Sequence, residues 1–251
     1  MQKIGIIGLG LIGGSIFKDL IGFGYEVKAV SNSQTGENIY KSYESLKDCE
    51  IIFVCTPMNK TLKVLDELEK IIPESTIVTD VCSLKEFVSK KKRPYIFIPS
   101  HPMAGTEHKG FENSCKGLFK GAKWVITNNT AEVEKLIKII EKLGAVPVFA
   151  KAAEHDEAVA MISHMPMVIS QALFLAASEN PLALEIASSG FRDMTRLALS
   201  NEEMANDMVT LNAENIQKAI LKLYQAVGNL TNSGYADKIS EIKKNREKMF
   251  M

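Results

Sequence analysis

The chain has 251 residues, which favours two domains, because a single hydrophobic core seldom grows to this size. Its 30 basic and 30 acidic residues balance to a formal net charge of zero, which excludes strong electrostatic attraction to nucleic acid or to an anionic membrane. We therefore expect a small-molecule partner. The four cysteines, Cys49, Cys55, Cys82 and Cys115, contain no CxxC pair, and we expect reduced packing residues of a cytoplasmic protein.

The first half of the chain alternates short β-branched runs with helical patterns, which is typical of a parallel sheet covered by helices. The first run starts almost at the first residue, so we expect no leader peptide. The predicted strands are residues 3–7, 26–31, 51–55, 76–79, 95–98, 124–127 and 146–149. The predicted helices are residues 11–21, 60–71, 84–90 and 131–143.

The second half carries only helical signals. Apolar residues recur there at spacings of three and four, as in Met204, Met208 and Leu211. We therefore predict an α/β N-terminal Rossmann-type dinucleotide-binding domain over residues 1–151 and an all-α C-terminal dimerisation domain over residues 152–251.

One helical stretch, residues 158–178, has no acidic or basic residue and is long enough to cross a bilayer. It contains His164 and Gln171, has acids on both sides, and lacks the basic or aromatic flanks of a membrane span. We expect a helix buried between domains or between the subunits of a homodimer.

A glycine-rich motif follows the first predicted strand and opens the first predicted helix. Its residues are Gly8, Leu9, Gly10, Leu11, Ile12 and Gly13. This GxGxxG pattern, in a strand-turn-helix context, indicates a dinucleotide site with the pyrophosphate at the helix N-terminus.

The end of the second strand bears on the choice of cofactor. An NAD-preferring fold places an acid there for the ribose 2′-hydroxyl, whereas this chain has Ser31, Asn32 and Ser33 and no acid before Glu37. Hydroxyls and amides oppose a 2′-phosphate less than a carboxylate would. We expect NADP or NAD as cofactor, with NADP favoured.

Three short segments follow predicted strands, where ligands gather in a doubly wound sheet. They are Cys55, Thr56 and Pro57, then residues 80–83, then residues 101–106. His101 is the leading catalytic candidate, because an imidazole can take a proton from a hydroxyl while hydride leaves the same carbon. Ser83 either orients that ring or binds substrate.

The remaining histidines and two arginines complete the candidates. We expect His164 to be either a core histidine or a pocket residue, and His108 and His155 to be surface residues. An acidic substrate needs a cation, and Arg192 and Arg196 can each bind a carboxylate in a bidentate fork. For Arg192 the alternative is a surface pair with the neighbouring Asp193. Thr106, in the loop that follows His101, is a further substrate-binding candidate.

Six motifs together resemble prephenate and arogenate dehydrogenases. They are GLGLIGGS at residues 8–15, CTP at 55–57, DVCSLK at 80–85, HPMAGTE at 101–107, ISHMP at 162–166 and SSGFRDMTR at 188–196. The resemblance implies that His101 polarises a ring hydroxyl, that Ser83 supports it, and that Arg196 grips a substrate carboxylate.

The activity implied by the resemblance is NAD(P)-dependent oxidative decarboxylation of prephenate to 4-hydroxyphenylpyruvate in tyrosine biosynthesis. The alternative is conversion of L-arogenate to L-tyrosine. Many prephenate-using relatives carry a second histidine three places after the one matching His164; here that position is Met167, as in some arogenate-preferring relatives. From the chain length we expect neither an added chorismate mutase nor a C-terminal regulatory domain.

Two other readings stay open on the residues alone. A β-hydroxyacid dehydrogenase or imine reductase also joins a Rossmann domain to a helical dimer, but the hydroxyacid enzymes use a helix lysine for which we find no equivalent. A cofactor-binding sensor without catalysis would not need His101, Ser83 and Arg196 together.

Overall fold

A computed structural model describes residues 2–106, 108–232 and 234–250; Glu107, the last residue of the HPMAGTE motif, lies outside them. The strands are β1 Lys3–Ile7, β2 Glu26–Val30, β3 Ile39–Tyr40, β4 Ile51–Val54, β5 Ile77–Asp80, β6 Ile96–Phe97, β7 Ser100–Pro102, β8 Lys123–Ile126 and β9 Val146–Phe149. The helices are α1 Leu11–Gly22, α2 Met58–Leu68, α3 Glu86–Ser89, α4 Val133–Lys142, α5 Ala152–Val159, α6 Met165–Ala177, α7 Pro181–Glu185, α8 Ser189–Met194, α9 Glu202–Leu211, α10 Ala213–Asn232 and α11 Tyr235–Phe250.

The main sheet is parallel and six-stranded, in the order β3-β2-β1-β4-β5-β6. This is the strand order of a Rossmann fold, and the order reverses between β1 and β4. The central strand β4, with the sequence Ile-Ile-Phe-Val, is buried along its whole length, as expected of a strand covered by helices on both faces. The predicted fold class, a Rossmann-type domain followed by a helical domain, is confirmed.

Two predicted strands belong to a different sheet. The prediction of one parallel sheet is wrong here, because β8 pairs antiparallel with β7 and parallel with β9 in a separate three-stranded sheet. The sheets meet where the ring of Trp124 on β8 packs edge-on against Phe53 of β4, and where Ser100 Oγ of β7 lies 2.7 Å from Thr79 Oγ1 of β5. These contacts join residues far apart in sequence, so periodicity gives no sign of them.

A buried ion pair fixes the strand that carries His101. Lys85 Nζ donates to the Asp80 carboxylate at the end of β5. It also donates to the Ser100 carbonyl oxygen, 2.6 Å away. Asp80 also accepts the backbone N–H groups of Cys82 and Ser100. Both charged side chains are fully buried, so neither exchanges its partner for water.

We predict that Lys85→Met lowers the free energy of unfolding by about 3–5 kcal/mol, because it leaves the Asp80 carboxylate buried without its cation. Urea unfolding would measure the change. Lys90→Met, at an exposed position five residues on, is the matched control and should change stability by less than about 0.5 kcal/mol. If the Asp80→Asn/Lys85→Met double variant were no more stable than Lys85→Met, the lost charge pairing would not be the cause.

The helical half begins with a continuous helical run. Helix α5 passes through a π-helical turn at Ala160–His164 into α6. By length and composition alone, this run, Ala152–Ala177, is a candidate membrane span among the described residues, a test that core helices of soluble proteins also pass.

A mixed apolar cluster joins this helical run to the strand ends of the first half. Its buried members are Met58, Cys82, Leu84, Val159, Met167, Ala205 and Met208. The helical half therefore sits over the carboxyl edge of the main sheet, where ligands of such sheets bind.

Candidate active site

A cavity of about 1210 Å³ lies between the carboxyl ends of the parallel strands and the helical half. Its walls include the glycine-rich turn after β1, the segments after β2, β4 and β5, strand β7, and residues of α6 and α9. A cavity of this size exceeds what a drug-sized ligand needs. It has room for two ligands side by side.

The glycine-rich turn has the geometry of a phosphate site. Gly8 has φ +93°, and a Cβ there would lie 2.7 Å from the Cys55 carbonyl oxygen. A Cβ on Gly13 would lie 2.0 Å from the Gly8 carbonyl oxygen, so only glycine lets α1 pack this closely on β1. Nothing lies within 4 Å of a Cβ built on Gly10, which caps α1 without a side-chain hydrogen bond. The first N–H groups of α1, at Leu11 and Ile12, thus open onto the cavity, and a dinucleotide pyrophosphate fits there.

The turn after β2 lines the same cavity with polar groups. Ser31, Asn32 and Ser33 are all lining residues. Ser31 Oγ accepts the backbone N–H of Gln34 at 3.1 Å, while Lys41 Nζ donates to the carbonyl oxygens of Ser31 and Asn32 at 2.8 and 3.0 Å. Two hydroxyls and an amide therefore line the cavity at the end of β2, and the Lys41 ammonium holds the backbone of the same turn.

The segment after β4 forms the opposite wall, and Cys55, Thr56 and Pro57 all line the cavity. Burial raises the pKa of the neighbouring Cys82 to about 12, so that thiol stays protonated and unreactive. The expectation that the four cysteines are packing residues holds for Cys49 and Cys82 but is wrong for Cys115, which is exposed.

His101 reaches the cavity from strand β7 rather than from a loop, because Ser100 to Pro102 pair with β8. Its Nδ1 lies 3.0 Å from Nε2 of His155, with the two rings edge to face. His155 Nδ1 in turn lies 2.7 Å from Oδ1 of Asp156. The prediction that His155 is a surface residue is wrong, since it is 3% exposed.

The sequence did hold a signal for His155. It stands four residues before Val159, so both lie on one face of α5, and Val159 is buried. A histidine on the buried face of a helix needs a polar partner, and the adjacent Asp156 provides it.

The surroundings of His101 keep its ring neutral. Burial, and after it electrostatic interaction with His155 and Lys85, holds the pKa of His101 well below the usual 6.5. A neutral imidazole is a hydrogen-bond acceptor through one of its two nitrogens. His101 can therefore accept a proton from a ligand at neutral pH.

The other candidates divide between the cavity and its surroundings. Ser83, Thr106 and Arg196 line the cavity. Arg192 lies outside it, in a separate shallow pocket, and its exposed guanidinium is 3.6 Å from Asp193. Of the two arginines, Arg196 is therefore the one that faces the His101 cavity.

His164 lies behind the cavity wall. Its neighbours Ile162 and Ser163 line the cavity, whereas its own ring is fully buried. Its Nδ1 is 3.1 Å from the side-chain amide nitrogen of Asn212, and its Nε2 has no hydrogen-bond partner among the described residues. Burial lowers the pKa of His164 to about 4.

Comparisons with known proteins agree along nearly the whole chain. The nucleotide-binding domain of prephenate dehydrogenase matches residues 20–149, and the prephenate dehydrogenase dimerization domain matches residues 151–242. The arogenate dehydrogenase structure from Synechocystis superimposes with a TM-score of 0.81 at 31% identity, covering 98% of this chain and 97% of that one.

Curated relatives give the same result. Prephenate dehydrogenase from Lactococcus lactis is 30% identical over 236 residues, and that from Bacillus subtilis 31% identical over 238 residues. These alignments cover 85% and 84% of this chain but 66% and 64% of the relatives, so the chain spans slightly less than two thirds of their length. The resemblance drawn from the motifs is confirmed, and this chain belongs to the prephenate dehydrogenase family.

Proposed function

We propose that this protein catalyses the NAD(P)-dependent oxidative decarboxylation of prephenate to 4-hydroxyphenylpyruvate, a step of tyrosine biosynthesis. The observation that carries the proposal is the placement of His101 and Arg196 on one cavity with the glycine-rich turn. A base, a carboxylate-binding cation and a dinucleotide site are the parts that this reaction needs.

Each residue has a defined task in the proposed reaction. A nicotinamide dinucleotide held by the glycine-rich turn would supply the acceptor for the hydride of the hydroxyl-bearing ring carbon. His101 accepts the proton of that hydroxyl, Ser83 supports the ring or the substrate, and Arg196 binds a substrate carboxylate. The ring carboxylate leaves as CO₂, and its bonding electrons complete an aromatic ring. The resulting phenolate oxygen takes back the proton that His101 accepted, and the product is a phenol.

Further contacts follow from position. We assign Thr106 to the substrate side of the cavity and Gly8, Gly10, Leu11, Ile12, Ser31, Asn32, Ser33, Cys55, Thr56 and Pro57 to the cofactor side. Gly13 belongs to the cofactor site through the close packing of α1 on β1 that it allows. His164 and Arg192, which the sequence offered as substrate ligands, do not line the cavity of this chain. We propose that His164 supports the wall from behind.

Conversion of L-arogenate to L-tyrosine is the second candidate activity, and Met167 favours it. Met167 lines the cavity where many prephenate-using relatives carry a histidine, and its thioether donates no hydrogen bond to a substrate keto group. Purified protein supplied with each acid and each cofactor would decide between them, by the absorbance of reduced nicotinamide and by release of CO₂. Absence of turnover with both acids would refute the proposed function.

We predict that NADP is used at least as well as NAD, and that Ser31→Asp shifts the ratio of kcat/KM values toward NAD about tenfold or more. A carboxylate at this position opposes the 2′-phosphate and can accept from the ribose 2′-hydroxyl. Thr35→Asp places the same charge in the same turn but outside the cavity lining, and should leave the ratio unchanged. A wild-type enzyme that works with NAD alone would contradict the prediction.

The family assignment also supports a proposal about the oligomeric state and the cellular location of the protein. We propose a cytoplasmic homodimer in which residues 1–151 hold the cofactor and residues 152–251 supply substrate and dimer contacts. The match of the second half to a dimerization domain supports the dimer. The balanced net charge gives no reason to add a nucleic acid or a membrane as partner.

A further inference from the structure

Three side chains form a line from the cavity into the protein interior. His101 lines the cavity, His155 is 3% exposed behind it, and Asp156 is 3% exposed behind His155. The two links are 3.0 Å between the rings and 2.7 Å between His155 and the carboxylate. Both distances are those of hydrogen bonds.

The carboxylate at the inner end determines which nitrogens carry protons. Asp156 accepts the backbone N–H of Lys85 at 2.8 Å and that of Glu86 at 2.9 Å, one on each oxygen. With both oxygens accepting, Asp156 is an acceptor toward His155 as well, so Nδ1 of His155 must be the donor. Nε2 of a neutral His155 is then an acceptor.

The same argument determines the protonation of the His101 ring. Because His155 Nε2 accepts, Nδ1 of His101 must carry the proton of the neutral ring. The free lone pair of His101 is then on Nε2, the nitrogen that remains for a ligand in the cavity. The order of donors and acceptors thus prepares His101 as a base.

We infer that His155 and Asp156 are positioning residues of the active site: they hold His101 in the tautomer with Nε2 unprotonated and take a share of the proton that His101 receives. The inference rests on the proposed function for the identity of the proton donor. The tautomer itself is a property of the protein alone.

The proton transfer balances along this line. The substrate O–H bond breaks and its proton binds His101 Nε2, while the proton on His101 Nδ1 shifts to His155 Nε2. His155 then carries two N–H groups and a positive charge next to the Asp156 carboxylate, and His101 is neutral again. In the reverse direction the same steps return the proton to the cavity. The other charged or titratable groups nearby are Lys85, itself paired with Asp80, and His164.

The line also depends on how the two halves of the chain meet. His101 belongs to β7, whereas His155 and Asp156 belong to α5, the first helix of the helical half. The two backbone N–H groups that hold Asp156 come from the segment that opens α3 in the first half. The hydrogen bonds that orient His101 therefore form only when the helical half packs against the first half.

Histidine ¹⁵N NMR tests the tautomer directly. The chain has four histidines, so single substitutions assign each pair of ring signals. We expect His101 to carry its proton on Nδ1 in the wild-type protein, and His155→Phe to abolish this preference. A wild-type His101 protonated on Nε2 would overturn the inference.

Kinetics on two substitutions at the same position separate orientation from proton sharing. His155→Phe should lower kcat about tenfold to a hundredfold. This is less than the roughly 10⁴-fold loss in serine proteases, because there the group that orients the catalytic histidine is a carboxylate and here it is a neutral ring. His155→Gln offers an oxygen that accepts from His101 Nδ1, so it should restore the tautomer but only part of kcat. KM for the cofactor should stay unchanged in both variants.

Two further variants test proton sharing without a substitution at position 155, so that a folding defect of the His155 variants cannot account for the result. Asp156→Asn removes the negative charge next to His155 and should also lower kcat and move the acid limb of the pH profile. Glu157→Gln, the adjacent exposed residue that pairs with Lys222, should change neither. Unchanged kcat and pH profile in both His155→Phe and Asp156→Asn would overturn proton sharing. If the wild-type protein turned over neither acid, the proposed function would fail, and the NMR result would still decide the tautomer.

Discussion

Replacement of His101 by Asn is expected to lower kcat by roughly 10²–10⁴, the range for loss of a general base, while cofactor affinity stays close to the wild-type value. Asn keeps a polar side chain on β7 but cannot take up a proton at neutral pH. The glycine-rich turn that would hold the cofactor is formed by other elements, so titration with reduced nicotinamide cofactor gives the internal control.

The pH profile adds an independent check on this variant. His101 must be neutral to act as a base, and burial together with electrostatic interaction with His155 and Lys85 lowers its pKa. The wild-type rate should therefore fall only as the pH drops below about 6.5, the ordinary pKa of histidine. The residual rate of His101→Asn should lack this acid limb. Wild-type turnover in the variant would remove His101 from the mechanism.

The cofactor half was predictable because its signals are local. Strand β1, the turn at Gly8 and helix α1 follow each other without a gap, and each has its own periodicity or glycine requirement. His101 was singled out for a related reason: it comes shortly after a predicted strand of a sheet whose strand ends bind ligands. Local order was sufficient for both.

The parts that the sequence did not reveal depend on contacts between distant residues. Asp80 was expected in a segment that faces the ligand and Lys85 in the predicted helix 84–90, yet the two form a buried ion pair under β7. Charged residues are mostly exposed unless they are paired, so the charges of these two residues do not predict burial. The contact of Lys85 with the Ser100 carbonyl oxygen joins different elements and has no local signal either. Helical spacing does place His155 on a buried face of α5, but its contact with His101, 54 residues earlier, has no local signal.

Arg192 and Arg196 show a different limit. They are four residues apart, a spacing that puts both on one face of an unbroken helix. Helix α8 ends at Met194, and a 3-10 turn begins at Arg196, so the two side chains diverge. Arg196 lines the large cavity and Arg192 pairs with Asp193 at the surface. The end of helix α8 therefore determines that Arg196, and not Arg192, faces the cavity.

The last prediction concerns the apolar helix α6. Its outer face is uncovered within one chain: Leu175 is 71% exposed and Phe174 48%, and Ile162 in the preceding π-helical turn is 65% exposed. Soluble monomers seldom leave apolar patches larger than a few hundred Å² in contact with water. We expect a second copy of the chain to cover this face across a two-fold axis, in an interface of about 2,000 Å² or more.

Leu173→Lys introduces a charge in the centre of that face and should cause loss of soluble protein or unfolding, rather than yield an active monomer. An obligate interface leaves the separated subunit with too much exposed apolar surface to persist. Ile21→Lys, at a similarly exposed apolar position on α1 in the nucleotide-binding half, is the matched control and should stay soluble and dimeric. Sedimentation of the wild-type protein at low micromolar concentration decides the matter, because a stable and active monomer there would refute both the interface and the place of α6 at its centre.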